Sequence, residues 1–219
     1  MQDSLLRLKN KYLKQYTPNA YSNDNTHMIN IVTKQTIMRY LFPFFCALAL
    51  VTSAANAGNW PAWRGTESTG YTDTQRSPGT IGESNLLWKT PLPGRGCSTP
   101  IVWDGKIFIT SAHNENDSVS AYDMDGKQLW QHSFGQEGIL QHVEAGSGSN
   151  PSVVTDGEYV FVYYKSGTLA ALTLDGKLVW QKNLQDEYGP NGLRWDLGTS
   201  PIIAGGNLVI AIMHARLPS

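Results

Sequence analysis

The chain repeats itself at a period of about 50 residues. The run Asp-Gly-Lys-Gln-Leu-Trp at 125–130 returns as Asp-Gly-Lys-Leu-Val-Trp at 175–180. A short aliphatic run follows Pro100 upstream of the first copy and Pro151 upstream of the second, and a third such run follows Pro201. Strand-like runs and Asp-Gly turns at such a period indicate a propeller blade or another stacked array.

The best-defined unit contains four predicted strands, at 151–155, 158–164, 168–174 and 177–182. Turns that contain glycine separate them, and glycine accepts the positive φ of tight hairpins. The preceding unit has predicted strands near 99–103, 106–111, 118–123 and 127–132. Its second link, 112–117, is expected to be longer. Leu86–Leu92 resembles the last strand of the later units, and it is predicted to be a strand as well.

These elements predict an all-β chain, a β-propeller of four-stranded antiparallel blades. About two and a half blades are expected, in units near 86–135, 146–186 and 196–219. The third unit stops after two strands, so an incomplete ring with open edge strands is predicted. Such edges favour association between molecules.

Residues 38–57 have the pattern of a secretory signal peptide. Arg39 precedes about a dozen apolar residues, and the segment ends at Ala55-Asn-Ala57. The apolar run is shorter than the roughly 20 residues that a membrane-spanning helix needs, so no stable membrane span is predicted. The expected location is periplasmic or extracellular, after cleavage near Ala57.

Residues 1–37 are polar and lie ahead of this leader. They are interpreted as a non-structural extension or a mis-called start, with Met28 or Met38 as the true start. Residues 58–85 are rich in Gly, Ser, Thr and Pro and are predicted to be an extended arm anchored by Trp60 and Trp63.

The two cysteines do not predict a disulfide or a metal or redox site. Cys46 lies inside the predicted leader, which leaves Cys97 alone in the exported chain. We expect Cys97 to be a buried small hydrophobe. The region from 58 to 219 carries more acidic than basic residues, which argues against nucleic-acid binding, because a nucleic-acid surface needs clustered Lys and Arg.

No catalytic, cofactor-binding or metal-binding residue is predicted. Asp123-Met-Asp125-Gly126 begins like a calcium loop but lacks the later ligands, so a hairpin turn is the better interpretation. The histidines His113, His132, His142 and His214 never fall at zinc-ligand spacing. Gly146–Asn150 lacks the lysine and helix of a phosphate loop. The acids on the predicted inter-blade loops, where a central site could form, are Glu137, Glu144, Asp186, Glu187 and Asp196.

The repeated residues resemble the pyrroloquinoline-quinone-like propeller repeat family. In that family a blade runs Ser-x-Pro-Ile-Val-x-Asp-Gly and later Ala-x-Asp-x-x-Gly-Lys-x-x-Trp. The run 121–130 matches the second motif throughout, whereas the run 171–180 has Thr173 in place of its aspartate. The opening Trp60-Pro-Ala-Trp-Arg-Gly65 is similar to the start of secreted members.

The resemblance implies one of two functions. The first is a non-catalytic exported scaffold that binds a protein, peptide or carbohydrate or serves in assembly, with no cofactor. The alternative is a periplasmic quinoprotein dehydrogenase that uses PQQ with calcium. Those enzymes hold the quinone against a disulfide between adjacent cysteines, and this chain has no such pair. The scaffold is therefore the preferred interpretation.

Overall fold

The computed structural model describes residues 3–8, 58–72, 82–138, 140, 146–192 and 195–213. The predicted leader, Cys46, Glu144, His142 and His214 lie outside these residues. The strands are β1 (Asp3–Leu8), β2 (Ile101–Trp103), β3 (Lys106–His113), β4 (Asn116–Asp123), β5 (Gln128–Gln136), β6 (Val154–Thr155), β7 (Tyr159–Tyr163), β8 (Thr168–Thr173), β9 (Leu178–Asn183), β10 (Ile202–Ala204) and β11 (Asn207–Met213). Two short helices accompany them, a 3-10 turn at Glu83–Asn85 and α1 at Leu184–Tyr188.

The strands form two complete blades and the start of a third. The first blade is the antiparallel sheet β2-β3-β4-β5, and the second is β6-β7-β8-β9. The third sheet contains β10 and β11, which correspond to the first two strands of a blade. Within the described residues the sheets do not close into a ring. The predicted all-β propeller of about two and a half blades is therefore confirmed.

A strand from the amino-terminal segment joins the third sheet as its third strand. β1 pairs antiparallel with β11, from Asp3 opposite Met213 to Leu8 opposite Leu208. It lies within residues 1–37, beside β11 where β4 lies beside β3 in the first blade. The assignment of 1–37 to an extension or mis-called start stays a prediction.

The repeated tryptophans occupy equivalent places on successive blades. Trp130 on β5 is opposite Ala121, and Trp180 on β9 is opposite Ala171. In both blades the ladder shifts register directly after this pair, as a β-bulge does. This equivalence is what the 50-residue repeat predicts.

Trp88 and Trp130 each lie on the turn that precedes the last strand of the blade that follows them in the chain. The indole nitrogen of Trp88 donates to the Met124 carbonyl at 2.7 Å, and that of Trp130 donates to the Leu174 carbonyl at 3.0 Å. A flat ring with one donor covers a large apolar area and still satisfies its N–H. The turn contact therefore joins one blade to the next.

The seams between blades form the hydrophobic core. Between the first and second blades lie ten fully buried side chains, among them Phe108, Val119, Val160, Val162 and Leu172. A second cluster joins the second blade to the third sheet and includes Phe161, Leu169, Leu197, Leu208 and Ile210. Alternation along each strand sends one set of side chains to each seam.

The arm crosses the inner strands of both blades. Trp60 exchanges two backbone hydrogen bonds with Val102 on β2, at 2.7 and 3.0 Å, and Pro61 accepts one from Thr155 on β6 at 3.0 Å. Trp63 is 58% exposed, with the Arg64 guanidinium 5.8 Å from its ring centroid. Backbone groups of Trp60 and Pro61 thus bind the arm to the two blades, and the side chain of Asn59 accepts from the Asp104 amide at 3.1 Å.

Three local predictions are wrong. Leu86–Leu92 is not a strand, because the described residues supply no ladder partner beside it. The long link predicted at 112–117 is a two-residue turn of Asn114 and Glu115, which both adopt positive φ. The β3–β4 ladder extends up to this turn, where His113 pairs with Asn116. Cys97 is exposed.

The exposure of Cys97 has a geometric cause. The segment before β2 lies against β3 through its backbone, with the Arg95 carbonyl accepting from the Ala112 amide at 2.7 Å. Cβ atoms at Gly94 and Gly96 would collide with the β3 backbone. The glycines on both sides of Arg95 thus face the strand, and Cys97, next to one of them, is left at the surface. None of the helices in the described part of the chain is long and apolar enough to cross a membrane.

Candidate functional site

Polar side chains from both blades meet at the end of the seam where the β3–β4 and β7–β8 turns lie. We call Asp117, Glu137, Lys165, Ser166 and Asp196 the loop-end cluster. Antiparallel pairing places these two turns and the segments after β5 and β9 at the same end of the blades. The hydrogen bonds described below join them.

Asp117 joins the first blade to the second. Its side chain is fully buried, and one carboxylate oxygen accepts a hydrogen bond from the Ser166 hydroxyl at 2.5 Å. The other oxygen, Oδ1, is buried and has no hydrogen-bond partner among the described residues. Burial raises the pKa of Asp117 to about 7. The Ser166 hydrogen bond lowers it by less, and the nearby charge of Glu137 raises it further.

Glu137 organises the segment that leads into the second blade. Its Oε1 accepts from the Gly148 amide at 2.6 Å, and the Ser147 hydroxyl lies 3.5 Å from the same oxygen. A Cβ on Gly148 would lie 2.6 Å from Cγ of Glu137. This carboxylate therefore holds a loop backbone in place.

Lys165 and Asp196 form a buried ion pair. The lysine ammonium contacts Oδ1 of Asp196, and their side chains are 8% and 5% exposed. The backbone of Lys165 is also held, because its amide donates to the Gly148 carbonyl at 3.0 Å and its carbonyl accepts from Gln185 at 2.9 Å. The pair connects the β7–β8 turn to the segment that precedes β10.

The loop acids predicted from the sequence separate into two groups. Glu137 and Asp196 lie in the cluster, whereas Asp186 and Glu187 are exposed on α1. Glu187 pairs with Lys182 at 2.9 Å. Sequence reasoning missed Asp117, Lys165 and Ser166. The signal that could have found them is their position at the ends of hairpins that differ in length between the two blades.

The Asp-x-Asp-Gly run forms the predicted hairpin turn. Oδ1 of Asp123 accepts from the amides of Asp125 and Lys127 at 3.0 and 2.9 Å. Thr173 has the same role in the second blade, since its hydroxyl accepts from the Lys177 amide at 3.1 Å. The departure from the family motif at Thr173 therefore preserves the turn.

The cluster does not fit a quinone with calcium. The chain has no adjacent cysteines, and the carboxylates of Glu137 and Asp196 are already bound to an amide and an ammonium. Among the described residues, no group of three or more His, Cys, Asp or Glu could hold a metal ion. The arrangement can join blades and respond to protons.

A family model described as "Outer membrane protein assembly factor BamB" matches residues 82–216, more than half of the chain. The chain belongs to this family of PQQ-like repeat proteins. A search of curated proteins finds no match. The family assignment accounts for the blades and the docked tryptophans, which the repeat motif encodes.

Three solved structures show partial similarity. The quinohemoprotein alcohol dehydrogenase ADHIIG from Pseudomonas putida HK5 is 22% identical, with a TM-score of 0.40 over 56% of this chain and 17% of that one. A europium-containing methanol dehydrogenase is 17% identical, with a TM-score of 0.45 over 67% and 26%. BamB from Moraxella catarrhalis is 13% identical, with a TM-score of 0.29 over 53% and 43%. The chain spans less than half the length of each of these proteins.

Proposed function

We propose that this protein is a non-catalytic scaffold of the periplasm or cell exterior that binds a protein partner during assembly. The observation that carries the proposal is that the chain belongs to a family whose model is described as an outer membrane protein assembly factor. The loop-end cluster supports it, because its charged groups are bound to one another and to the backbone.

The surface beside the cluster provides a place for such a partner. Exposed residues surround it on the β3–β4 turn and on α1: Asn114, Glu115, Asp186 and Glu187. Trp195, which is 68% exposed, lies next to Asp196 in the chain. We call these five residues the rim. An acidic rim with an exposed aromatic side chain favours a partner surface that carries basic residues.

A photocrosslinking experiment tests this. A benzophenone amino acid replaces Glu187 on the rim, and a matched variant carries it at Lys177, which is exposed on the turn at the opposite end of the second blade. We expect illumination of cells to give a discrete protease-sensitive adduct from position 187 and none from position 177. The adduct partner, once identified and purified, should bind the unmodified chain directly.

Equal crosslinking from both positions would contradict the proposal. So would dye-linked alcohol oxidation by the purified chain after addition of PQQ and calcium, since that result belongs to the alternative, a quinoprotein dehydrogenase.

A further inference from the structure

The contact between Asp117 and Ser166 can exist in two proton states. The Ser166 hydroxyl lies 2.5 Å from Asp117 and 2.9 Å from the Thr168 hydroxyl, and a serine hydroxyl has one proton to donate. If Asp117 is ionised, Ser166 donates to it. If Asp117 is protonated, it can donate to Ser166, which then donates to Thr168.

The charges that face Asp117 do not neutralise it. Glu137, after β5, adds negative charge that disfavours the carboxylate. Lys165, from the β7–β8 turn, is held by Asp196. From the second blade Tyr164 also faces the seam; it is fully buried, and its hydroxyl has no partner within the described residues.

Among the described residues, the remaining titratable groups at this end lie on the first blade and the segment before it. They are His113 and Glu115, at the β3–β4 turn, and Arg95. The backbone carbonyl of Arg95 accepts a hydrogen bond from the amide of Ala112, the residue before His113. Beside burial, the interactions that act on the pKa of Asp117 are the hydrogen bond from Ser166 and the negative charge of Glu137. A fully buried carboxylate whose interactions within the described residues are one hydroxyl hydrogen bond and a like charge is unfavourable when ionised.

We propose that Asp117 and Ser166 form a proton-dependent latch between the first two blades, closed when Asp117 is protonated and loosened when it ionises. An ionised, dry carboxylate gains solvation if water enters the loop end of the seam. Opening there would shift the β3–β4 turn against the β7–β8 turn.

The direction of the pH effect follows from burial. The pKa of Asp117 in the folded chain is about 7, above its ordinary value of 3.8. The folded state therefore binds this proton more tightly than the unfolded state, so stability falls as pH rises from about 4 to about 7 and then levels off. The latch is closed on the acidic side of this range and loosened on the alkaline side.

This inference deepens the proposed function, because the rim residues Asn114 and Glu115 lie on one of the two turns that the latch joins. Its consequence for partner binding rests on that proposal. The latch itself does not, and it is tested without any partner, so the two proposals can fail separately.

The test compares urea midpoints of the full chain between about pH 5 and about pH 8. We expect the wild-type midpoint to fall across this range and the midpoint of Asp117→Asn to change much less. Asp186→Asn, an exposed acid on α1, is the matched control and should behave like the wild type. Ser166→Ala should move the transition to higher pH, because the hydroxyl favours the charged form.

A direct measurement covers the case in which Asp117→Asn fails to fold. The Cγ resonance of Asp117 in isotope-labelled wild-type protein should titrate near neutral pH and not near 4. Titration near 4 would overturn the latch, and so would an Asp117→Asn variant that keeps the full wild-type pH dependence.

Discussion

The contact of Trp130 with Gly176 joins the first two blades, and it predicts that a substitution of Gly176 lowers the stability of the chain. Gly176 has a φ of 84°, a left-handed conformation that favours glycine. A Cβ built on it would lie 2.5 Å from Cδ2 of Trp130. Gly176→Ala must therefore strain the turn and also displace the indole, whose nitrogen donates to the Leu174 carbonyl.

Three costs add up in Gly176→Ala. Holding a non-glycine residue in the left-handed region costs about 1–2 kcal/mol. Displacing a packed ring adds about 1–3 kcal/mol of overpacking, and loss of its hydrogen bond adds about 1 kcal/mol. Gly176→Ala should thus destabilise the chain by about 3–6 kcal/mol. Gly105, with a φ of 68° and nothing within 4 Å of its Cβ, supplies the control. Gly105→Ala should cost about 1–2 kcal/mol.

A double-mutant cycle isolates the ring contact. Trp130→Ala removes the obstacle, so Gly176→Ala in that background should cost only the strain, about 1–2 kcal/mol. The resulting coupling energy of about 2–4 kcal/mol, the overpacking and hydrogen-bond costs together, would be measured by urea unfolding followed by far-UV circular dichroism. Equal losses for Gly176→Ala and Gly105→Ala, or a coupling energy near zero, would refute the docking argument.

Three further predictions concern other parts of the chain. Lys165→Met should destabilise the fold by about 3–5 kcal/mol in urea unfolding, because it leaves the Asp196 carboxylate buried without its cation. The double variant Lys165→Met/Asp196→Leu should recover part of this loss, and a larger loss in the double variant would contradict the ion-pair account. Cys97 should react rapidly with a thiol reagent in the native chain, because it is exposed, and Cys97→Ser should lose that fast phase. Amino-terminal sequencing of exported protein should find a start at or near Gly58, and retention of residues 1–37 would overturn the signal-peptide prediction.

The sequence predicted the blades because the repeated residues have fixed structural roles. Asp123 and Thr173 accept from turn amides, and Trp130 lies on the turn of the next blade. A residue that must perform the same contact in every unit recurs at the same register, so the period is visible without coordinates. The predicted strand bounds of both blades agree with the structure to within a few residues.

The wrong predictions depend on neighbours that a local pattern does not contain. Leu86–Leu92 has the composition of a final strand, but a strand forms only with a ladder partner. Cys97 has the composition of a core residue, but the neighbouring glycines Gly94 and Gly96 are the residues that lie against β3. In both cases residue type alone does not determine the structure, because the tertiary neighbours of the segment decide whether it pairs or is buried.

The loop-end cluster escaped prediction for the opposite reason, because its residues do not recur. Blade pairing sets Phe108 opposite Ala121 and Phe161 opposite Ala171. The stretch between the paired residues is thus three residues longer in the first blade, and that extra length places Asp117 at the seam. Packing constrains the repeated positions, whereas the hairpin ends are free to differ between blades, so a residue there leaves no repeat in the sequence. Asp117 lies near the start of β4 and Ser166 lies on the β7–β8 turn, so a contact between two non-repeated residues joins two repeated blades.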